Sequence, residues 1–208
     1  MKIVQMSVEV MSHPDYALAV IEKAYRVAYQ STPKPGETTE EFIKSHMEHE
    51  APLEFASVGF LFVVDRGVSH EMVRHRLASY VQESTRYCNY GKDKFGGEIT
   101  VVQPPGLDGI LSHGWKTSME TAEHHYLGML ENGVKPQIAR SVLPTCLKTQ
   151  IAMYANFREW RHILKLRTAR TAHPQIREVM LQVLAYFRKY WPVIVHDINV
   201  VEEFPDHA

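Results

Sequence analysis

The sequence has only two cysteines, Cys88 and Cys146, and it has no long apolar run. Two cysteines are too few for a disulfide scaffold, which indicates a protein of the reducing cytoplasm. A membrane span needs about 20 apolar residues in succession, and residues 1–10 alternate polar and apolar side chains, unlike a signal peptide. Strong net charge is also lacking, since 23 Lys and Arg face 24 Asp and Glu and the pI is near 6.9. This balance excludes a protein that holds nucleic acid mainly through bulk charge.

The composition present is that of a globular protein with a real core. Of the 208 residues, 45% are hydrophobic and 23% are charged, and the chain has no repeat and no low-complexity tract. This predicts one α+β domain over residues 1–208, with a mixed or antiparallel sheet flanked by helices. Apolar residues with period two predict strands, and stripes with period 3.6 predict helices. The predicted strands are 2–10, 55–64 and 148–155, and the predicted helices are 14–29, 38–50, 69–76, 111–132, 136–143, 157–167 and 174–191.

Local signals support several of these boundaries. Thr38 followed by Glu41 is typical of a capping box, and Asn156 is a favoured N-cap residue. Gly133 stands where a helix commonly ends in a left-handed residue, and Pro174 suits the first position of a helix. Residues 80–90 are expected to be extended or irregular.

The near-zero net charge hides a segregation of the arginines. Eleven of the twelve arginines lie in residues 66–86, in residues 158–188 or at Arg140. A planar guanidinium suits carboxylate and phosphate recognition better than a lysine does. Two interpretations follow from charge alone: solvated helix faces, or arginines that gather at one site for a small anionic ligand such as a nucleotide.

Residues 74–86 are the most unusual segment, because three arginines, a histidine, two serines and a glutamine crowd into it. In a regular helix Arg74 and Arg76 would point about 200° apart, so they could not both face one phosphate. Either the helix ends there, or the two arginines serve different ligands, or they serve one ligand shared across a subunit contact. The polar side chains that follow suit a nucleotide phosphate and a base edge.

The motif Arg74-His75-Arg76, followed after seven residues by Ser84 and then by Arg86, resembles the signature of the flavin-dependent thymidylate synthases. Three further segments are similar to elements of that family and occur in the family order. They are residues 49–54 (His-Glu-Ala-Pro-Leu-Glu), 139–144 (Ala-Arg-Ser-Val-Leu-Pro) and the Asn-x-Arg helix of 156–167. The resemblance covers about residues 45–180.

The resemblance implies an enzyme that makes dTMP from dUMP by reductive methylation. Methylenetetrahydrofolate would donate the carbon, FAD reduced by NADPH would donate the hydride, and no cysteine nucleophile is expected. It also implies an α+β fold and a homotetramer that binds FAD between subunits, in agreement with the divergent arginines noted above.

Residue roles carry over position by position. The catalytic candidates are Arg167, which would polarise the uracil ring near N3, and His49, beside flavin and folate. A fixed guanidinium there would stabilise negative charge as C5 becomes nucleophilic. The positions expected to contact the cofactor are Arg74, His75, Arg76, Asn156, Arg158 and His162. The positions expected to contact the substrate are Glu71, Gln82, Glu83, Ser84, Thr85, Arg86, Arg140 and Arg167.

The chain departs from some family members at several positions. It has Glu71 where they have Gln, and Gln82-Glu83 where they have Glu-Leu. It has Ala51 in place of a Thr, and His162 in place of an Asn that can equally donate a hydrogen bond.

Other chemistries find less support in the residues. A nucleophilic Cys88 or Cys146 would need a lowered pKa, and Ser84 would need a base and an orienting group, none of which the sequence indicates. A zinc-protease pattern needs histidines four apart on a helix, whereas His70 and His75 are five apart, so no metal site is expected. Six histidines are interpreted as surface or structural residues: His13, His113, His124, His125, His196 and His207. The alternative to an enzyme is an arginine-rich module that binds nucleotides or nucleic acid without catalysis.

Overall fold

The structure, a computed structural model, describes residues 1–200. Its strands are β1 (Lys2–Val4), β2 (Ser7–Ser12), β3 (Ser57–Asp65), β4 (Ala78–Gln82), β5 (Thr100–Val102) and β6 (Lys148–Asn156). Its α-helices are α1 (Ala17–Tyr29), α2 (Thr39–Ser45), α3 (Arg66–Met72), α4 (Gly109–Glu131), α5 (Pro136–Ala139), α6 (Phe157–Arg167) and α7 (Pro174–Tyr190). Short 3₁₀ turns cover Ala51–Phe55, Asp93–Phe95, Arg140–Val142 and Pro192–Val195.

Four strands form an antiparallel sheet in the order β2-β3-β6-β4, while β1 and β5 form a separate parallel pair. β6 alternates buried and accessible residues along its length, so one face of the sheet packs on the core. The other face is open to solvent at Val81 and Tyr154, which are 77% and 49% exposed. The α+β prediction with a mixed or antiparallel sheet is therefore confirmed.

The helices α6 and α7 cover the packed face of the sheet. Phe60 of β3 contacts the rings of Trp160 and Phe187, with centroids 5.2 and 6.4 Å apart. The Trp160 indole also donates a hydrogen bond to Val58 O at 3.0 Å, so this large side chain is buried with its polar atom satisfied. One face of α6 is thereby fixed in the core, which leaves the opposite face for other contacts.

Side-chain caps start the two helices that follow the central strands. Asp65 Oδ1 accepts a hydrogen bond from Val68 N (2.7 Å) at the start of α3. Asn156 Oδ1 accepts one from Glu159 N (2.8 Å) at the start of α6, as the sequence predicts. The capping box at Thr38 and the first-turn Pro174 are also confirmed, and Gly133 has the left-handed φ of +80° that ends α4.

Several predicted boundaries are wrong for non-local reasons. The single strand predicted over 2–10 is two strands, because β1 pairs with β5 whereas β2 pairs with β3. The helix predicted over 38–50 ends at Ser45, and turns lead from there to the 3₁₀ segment that contains Pro52. The three-residue β5 was not predicted at all, because so short a strand depends on its partner.

The helix predicted to carry residues 70–76 ends earlier, at Met72. The Tyr80 hydroxyl lies 2.7 Å from Met72 O and 2.9 Å from His75 O, so its single proton is shared between two carbonyls at the helix end. Arg74 and Arg76 therefore lie on an irregular turn that leads into β4, which is the first of the three alternatives left open by the sequence.

The arginines do not all gather at one site, which corrects the interpretation of residues 158–188. Arg161 is buried, and its guanidinium pairs with both oxygens of Asp197 at 2.8 and 2.9 Å and also contacts Ile194 O. Arg177 is buried and donates to Thr168 O at 3.2 Å, and Arg188 donates to Ile198 O at 3.1 Å. These three arginines tie the end of the described chain and the α6–α7 connection to the core.

We predict that Asp197→Ala lowers the free energy of unfolding by about 2 kcal/mol, because the buried Arg161 then keeps only the longer contact of its Nε with Glu50 (3.4 Å) and its main-chain partner. Urea unfolding of the two proteins measures the difference. The matched control is Lys165→Ala, which removes an exposed partner of the same carboxylate at 2.9 Å and should cost less than about 1 kcal/mol. Equal losses in both variants would contradict a structural role for the Arg161 pair.

Candidate active site

Arg167, the last residue of α6, is held by two side chains at the end of α3. Its Nη1 donates to Glu71 Oε2 at 2.6 Å, and its Nε donates to His75 Nε2 at 3.0 Å. A longer contact of 3.4 Å joins Nη2 to Glu71 O. Because the guanidinium is half-buried and bonded along two edges, its plane is fixed in the free protein.

His75 is a buried residue, 5% exposed, between exposed Arg74 and Arg76. Its ring meets that of His162 edge-on, with centroids 6.0 Å apart. Burial first, and then the positive charge of Arg167 and the neighbouring His162, lower the pKa of His75 to about 4. The imidazole is therefore neutral at neutral pH.

A cavity of about 560 Å³ opens beside this cluster. It is lined by Asn156, Arg158 and His162, which the sequence predicts as cofactor contacts, together with Glu159, Leu77 and two glutamates. Arg158 is paired with both of them, with Glu54 at 2.6 Å and with Glu50 at 3.6 Å. The two arginines of the signature, Arg74 and Arg76, flank His75 in sequence. Neither guanidinium has an ion pair or hydrogen bond within residues 1–200.

His49 lies in a different cavity, of about 370 Å³, with Tyr29, Ala51 and Phe55 among its walls. The His49 ring meets Tyr29 edge-on at 5.8 Å. Within one chain the structure therefore does not bring the two catalytic candidates, His49 and Arg167, into contact.

A second group of predicted residues follows β4. Arg140 Nη1 donates to Thr85 Oγ1 at 3.1 Å, which joins the segment at 84–86 to the turn after α5. Ser84 Oγ accepts from Arg86 N at 3.3 Å, and the Arg86 guanidinium is exposed over the Tyr87 ring. Two arginines and a serine thus form a polar surface suited to a phosphate.

Gln82 and Glu83 are already engaged by the protein. Gln82 Nε2 donates to Ser69 Oγ at 2.8 Å, close to the start of α3. Glu83 accepts from Tyr90 Oη (2.6 Å), Lys148 Nζ (2.8 Å) and Gln150 N (3.1 Å). Burial opposes ionisation of Glu83, but the hydrogen bonds from Lys148 and Tyr90 outweigh it and hold its pKa below the ordinary value. A substrate contact through Glu83 stays a prediction.

Two residues of the site were missed by sequence reasoning. Glu159 is buried in the first turn of α6, and its Oε1 lies 3.8 Å from His75 Nδ1. Tyr80 fixes the turn that carries His75, as described above. In the sequence, these two residues stand out only by their proximity to motifs. Glu159 belongs to the Asn-x-Arg helix of 156–167, and Tyr80 follows the arginine signature.

The thiol of Cys146 is poorly suited to nucleophilic attack. Burial, and then the nearby negative charge of Asp65, raise its pKa to about 11, so it stays protonated at neutral pH. For Cys146, this agrees with the prediction that no cysteine attacks the pyrimidine.

Residues 1–200 contain no group of three His, Cys, Asp or Glu side chains placed to hold a metal ion. In that same part of the chain, no helix combines the length and the apolar character needed to cross a membrane. Of the six histidines interpreted as surface or structural residues, His207 lies outside the described residues. His13 packs on Trp191 and lies 2.6 Å from Tyr186 Oη, as a structural histidine would.

The family model of the "thymidylate synthase complementing protein" matches residues 9–193. The chain therefore belongs to this family, as the arginine signature predicts.

Two relatives are flavin-dependent thymidylate synthases. The enzyme of Thermococcus kodakarensis is 37% identical over 152 residues, which cover 70% of this chain and 61% of that relative. The enzyme of Mycobacterium avium is 31% identical over 205 residues, which cover 88% of this chain and 80% of that relative.

Two solved structures share the fold. Both are of a UMP/dUMP methylase, PolB, from Streptomyces cacaoi. The complex with 5-Br dUMP has a TM-score of 0.78 and 22% identity, and covers 98% of this chain and 100% of that one. The complex with 5-Br UMP has a TM-score of 0.77 and 24% identity, and covers 94% of this chain and 95% of that one.

We predict that acid destabilises the protein partly through His75. Its pKa is about 4 in the folded state against 6.5 ordinarily, so the unfolded state binds more protons between these values. The free energy of unfolding should therefore fall as pH drops from 6.5 to about 4, with a slope from this group approaching about 1.4 kcal/mol per pH unit.

Urea unfolding across that range measures the slope. His75→Gln should flatten it, whereas the control His124→Gln, on the exposed side of α4, should leave it unchanged. An unchanged slope in His75→Gln would contradict the buried neutral imidazole.

Proposed function

We propose that this protein is a flavin-dependent thymidylate synthase that converts dUMP to dTMP, with methylenetetrahydrofolate as carbon donor and NADPH as reductant. The observation that carries the proposal is Arg167, fixed by Glu71 and His75 beside a cavity lined by the predicted cofactor residues. Family membership supports the same activity, since the relatives named above carry it in their names.

The residues present fit FAD. Arg74 and Arg76 are exposed cations without partners in residues 1–200, as a diphosphate would require. Asn156, Arg158 and His162 line the adjacent cavity and can donate hydrogen bonds. These five residues, with the backbone of His75, would hold the cofactor. When bound and reduced by NADPH, FAD supplies the hydride.

Arg167 would act on the pyrimidine of dUMP. Its guanidinium has donors in a fixed fork, and its half-buried position strengthens its electrostatic field relative to a solvent-exposed arginine. Placed beside N3 and its flanking carbonyl, it would stabilise the negative charge that develops on the ring as C5 becomes nucleophilic. The protein thereby activates C5 without a cysteine.

The remaining polar residues would bind the rest of the nucleotide. Ser84, Arg86 and Arg140 suit the phosphate, and Gln82 and Glu71 suit the polar edges of the base and sugar. Arg66, at the start of α3, donates to Glu83 O at 2.8 Å, directly before Ser84. The rise of α3 from Arg66 to Glu71 is about 7.5 Å, so this spacing would suit the phosphate and the base of one nucleotide. The ligand named for PolB, 5-Br dUMP, supports dUMP as the substrate class.

His49 would serve the folate side of the site. Its cavity has aromatic walls, including Tyr29 and Phe55, as a planar heterocycle would require. Because this cavity and the Arg167 cluster do not meet in one chain, the complete site would need a subunit contact.

We propose a homotetramer with FAD at the subunit interfaces, acting in the cytoplasm. Support comes from Arg74 and Arg76, which have no partners within residues 1–200, and from the open sheet face at Val81 and Tyr154, which is apolar. The alternative, a nucleic-acid-binding module, needs a continuous basic surface. The burial of Arg161 and Arg177 removes two members of that surface.

The purified protein should be yellow, or should become yellow on loading with FAD. It should oxidise NADPH and release tritium from [5-³H]dUMP in the presence of methylenetetrahydrofolate. A protein that stays colourless after loading, or that binds polynucleotide in a salt-sensitive manner without turnover, would contradict the proposal.

The variant with both Cys88→Ala and Cys146→Ala should keep its tritium release within about threefold of the unchanged protein, because neither thiol takes part in the chemistry. Thermal unfolding serves as the control for folding. Complete loss of turnover in a folded variant would instead assign the attack on the pyrimidine to a cysteine.

A further inference from the structure

The three side chains of the Arg74-His75-Arg76 motif do not share a direction. The two arginines are exposed and have no partners within residues 1–200, whereas His75 is buried and touches the α6 end. The motif therefore supplies two exposed cations that suit an anionic ligand and one buried imidazole that contacts Arg167.

The imidazole acts as a hydrogen-bond acceptor. Arginine has only donors, so the 3.0 Å contact from Arg167 Nε requires a lone pair on His75 Nε2. The ring proton must then sit on Nδ1, which faces the buried Glu159 carboxylate at 3.8 Å. That distance is too long for a direct hydrogen bond but short enough for the carboxylate to favour this tautomer.

The imidazole is also held in place from the backbone side. His75 N donates to Met72 O at 3.1 Å, and Tyr80 Oη donates to His75 O at 2.9 Å. The ring of His162 meets the His75 ring edge-on, with centroids 6.0 Å apart. Together these contacts hold the His75 ring, and with it the Nε2 acceptor, in one position.

We propose that His75 is a positioning residue for Arg167: its Nε2 sets the plane of the guanidinium, with Glu159 fixing the tautomer. Glu71 alone holds the plane less firmly, because its one short contact is at Nη1 and its second contact, from Nη2 to the main-chain oxygen, is 3.4 Å long. The inference rests on the proposed function only in assigning the pyrimidine of dUMP as the group that Arg167 meets.

The test compares His75→Gln with His75→Asn. A glutamine amide reaches the position of Nε2 and can present an oxygen to Arg167, whereas an asparagine amide reaches only the position of Nδ1. Both variants are polar and neutral, so they disturb the fold by similar amounts. The readouts are flavin absorbance per subunit, dUMP affinity by calorimetry, and kcat and KM for dUMP in dTMP formation.

His75→Gln should stay within about threefold of the unchanged protein, and His75→Asn should lose about 10- to 100-fold in kcat/KM for dUMP, since a misplaced catalytic group costs that much. Flavin absorbance should be equal in both. Equal losses in the two variants, or a loss confined to flavin content, would overturn the positioning role.

A double-variant cycle shows whether the effect passes through Arg167. His75→Asn combined with Arg167→Ala should bind dUMP as weakly as Arg167→Ala alone, because the residue being positioned is already gone. Losses that simply add would overturn the proposal. His13→Asn, in a histidine bonded to Tyr186 instead, is the matched control and should leave dUMP affinity unchanged.

Different results would contradict the proposed function and the positioning role of His75. An unchanged protein that holds flavin but makes no dTMP would overturn the proposed function and the inference built on it. An active enzyme in which glutamine and asparagine at position 75 behave alike would overturn the positioning role only.

Discussion

The contact of Arg167 with Glu71 and His75 is the interaction on which the site depends, and the sheet explains why it forms. β3 and β6 pair antiparallel, with Ser57 opposite Asn156 and Asp65 opposite Lys148. α3 and α6 therefore begin at opposite ends of the pair. The seven residues of α3 extend about 10 Å, and the eleven residues of α6 extend about 16 Å. Together the two helices match the roughly 27 Å length of a nine-residue strand. The two helix ends meet where Arg167 reaches Glu71.

Electrostatics at this point favours a charged arginine surrounded by acceptors. Glu71 supplies a full negative charge, while His75 supplies a neutral lone pair because burial and Arg167 itself lower its pKa. Such an arrangement holds the cation without consuming all its donors, so the guanidinium can still meet a ligand. Arg161, one turn and a half earlier on the same helix, shows the contrasting case of a guanidinium saturated by Asp197 and main-chain oxygen.

Local signals in the sequence predicted the fold well where the cause is local. The caps at Thr38 and Asn156 and the terminator Gly133 are each set by neighbours within a few residues, and all three are confirmed. The end of α3 at Met72 could not be predicted, because Tyr80 fixes it from the following strand. The split of the first strand and the existence of β5 likewise depend on pairing between segments far apart in the chain.

In the site too, features set by local sequence could be predicted, whereas features set by contacts between distant segments could not. The ordered motifs predicted the family, which the family model confirms, and they name residues that cluster around Arg167 in the structure. Burial cannot be predicted from charge, so the sequence left open whether Arg161 and Arg177 bind a ligand or lie on a solvated helix face, whereas in the structure both are buried. Glu159 and Tyr80 were missed because their roles depend on contacts with the turn at His75 and not on any residue pattern.

The most direct test of the central claim is dTMP formation by Arg167→Ala at matched flavin content. Fixed placement of this guanidinium on the pyrimidine predicts that turnover falls by at least about a hundredfold while the flavin absorbance per subunit is retained. Turnover close to that of the unchanged protein, in a folded and flavin-loaded variant, would contradict the claim.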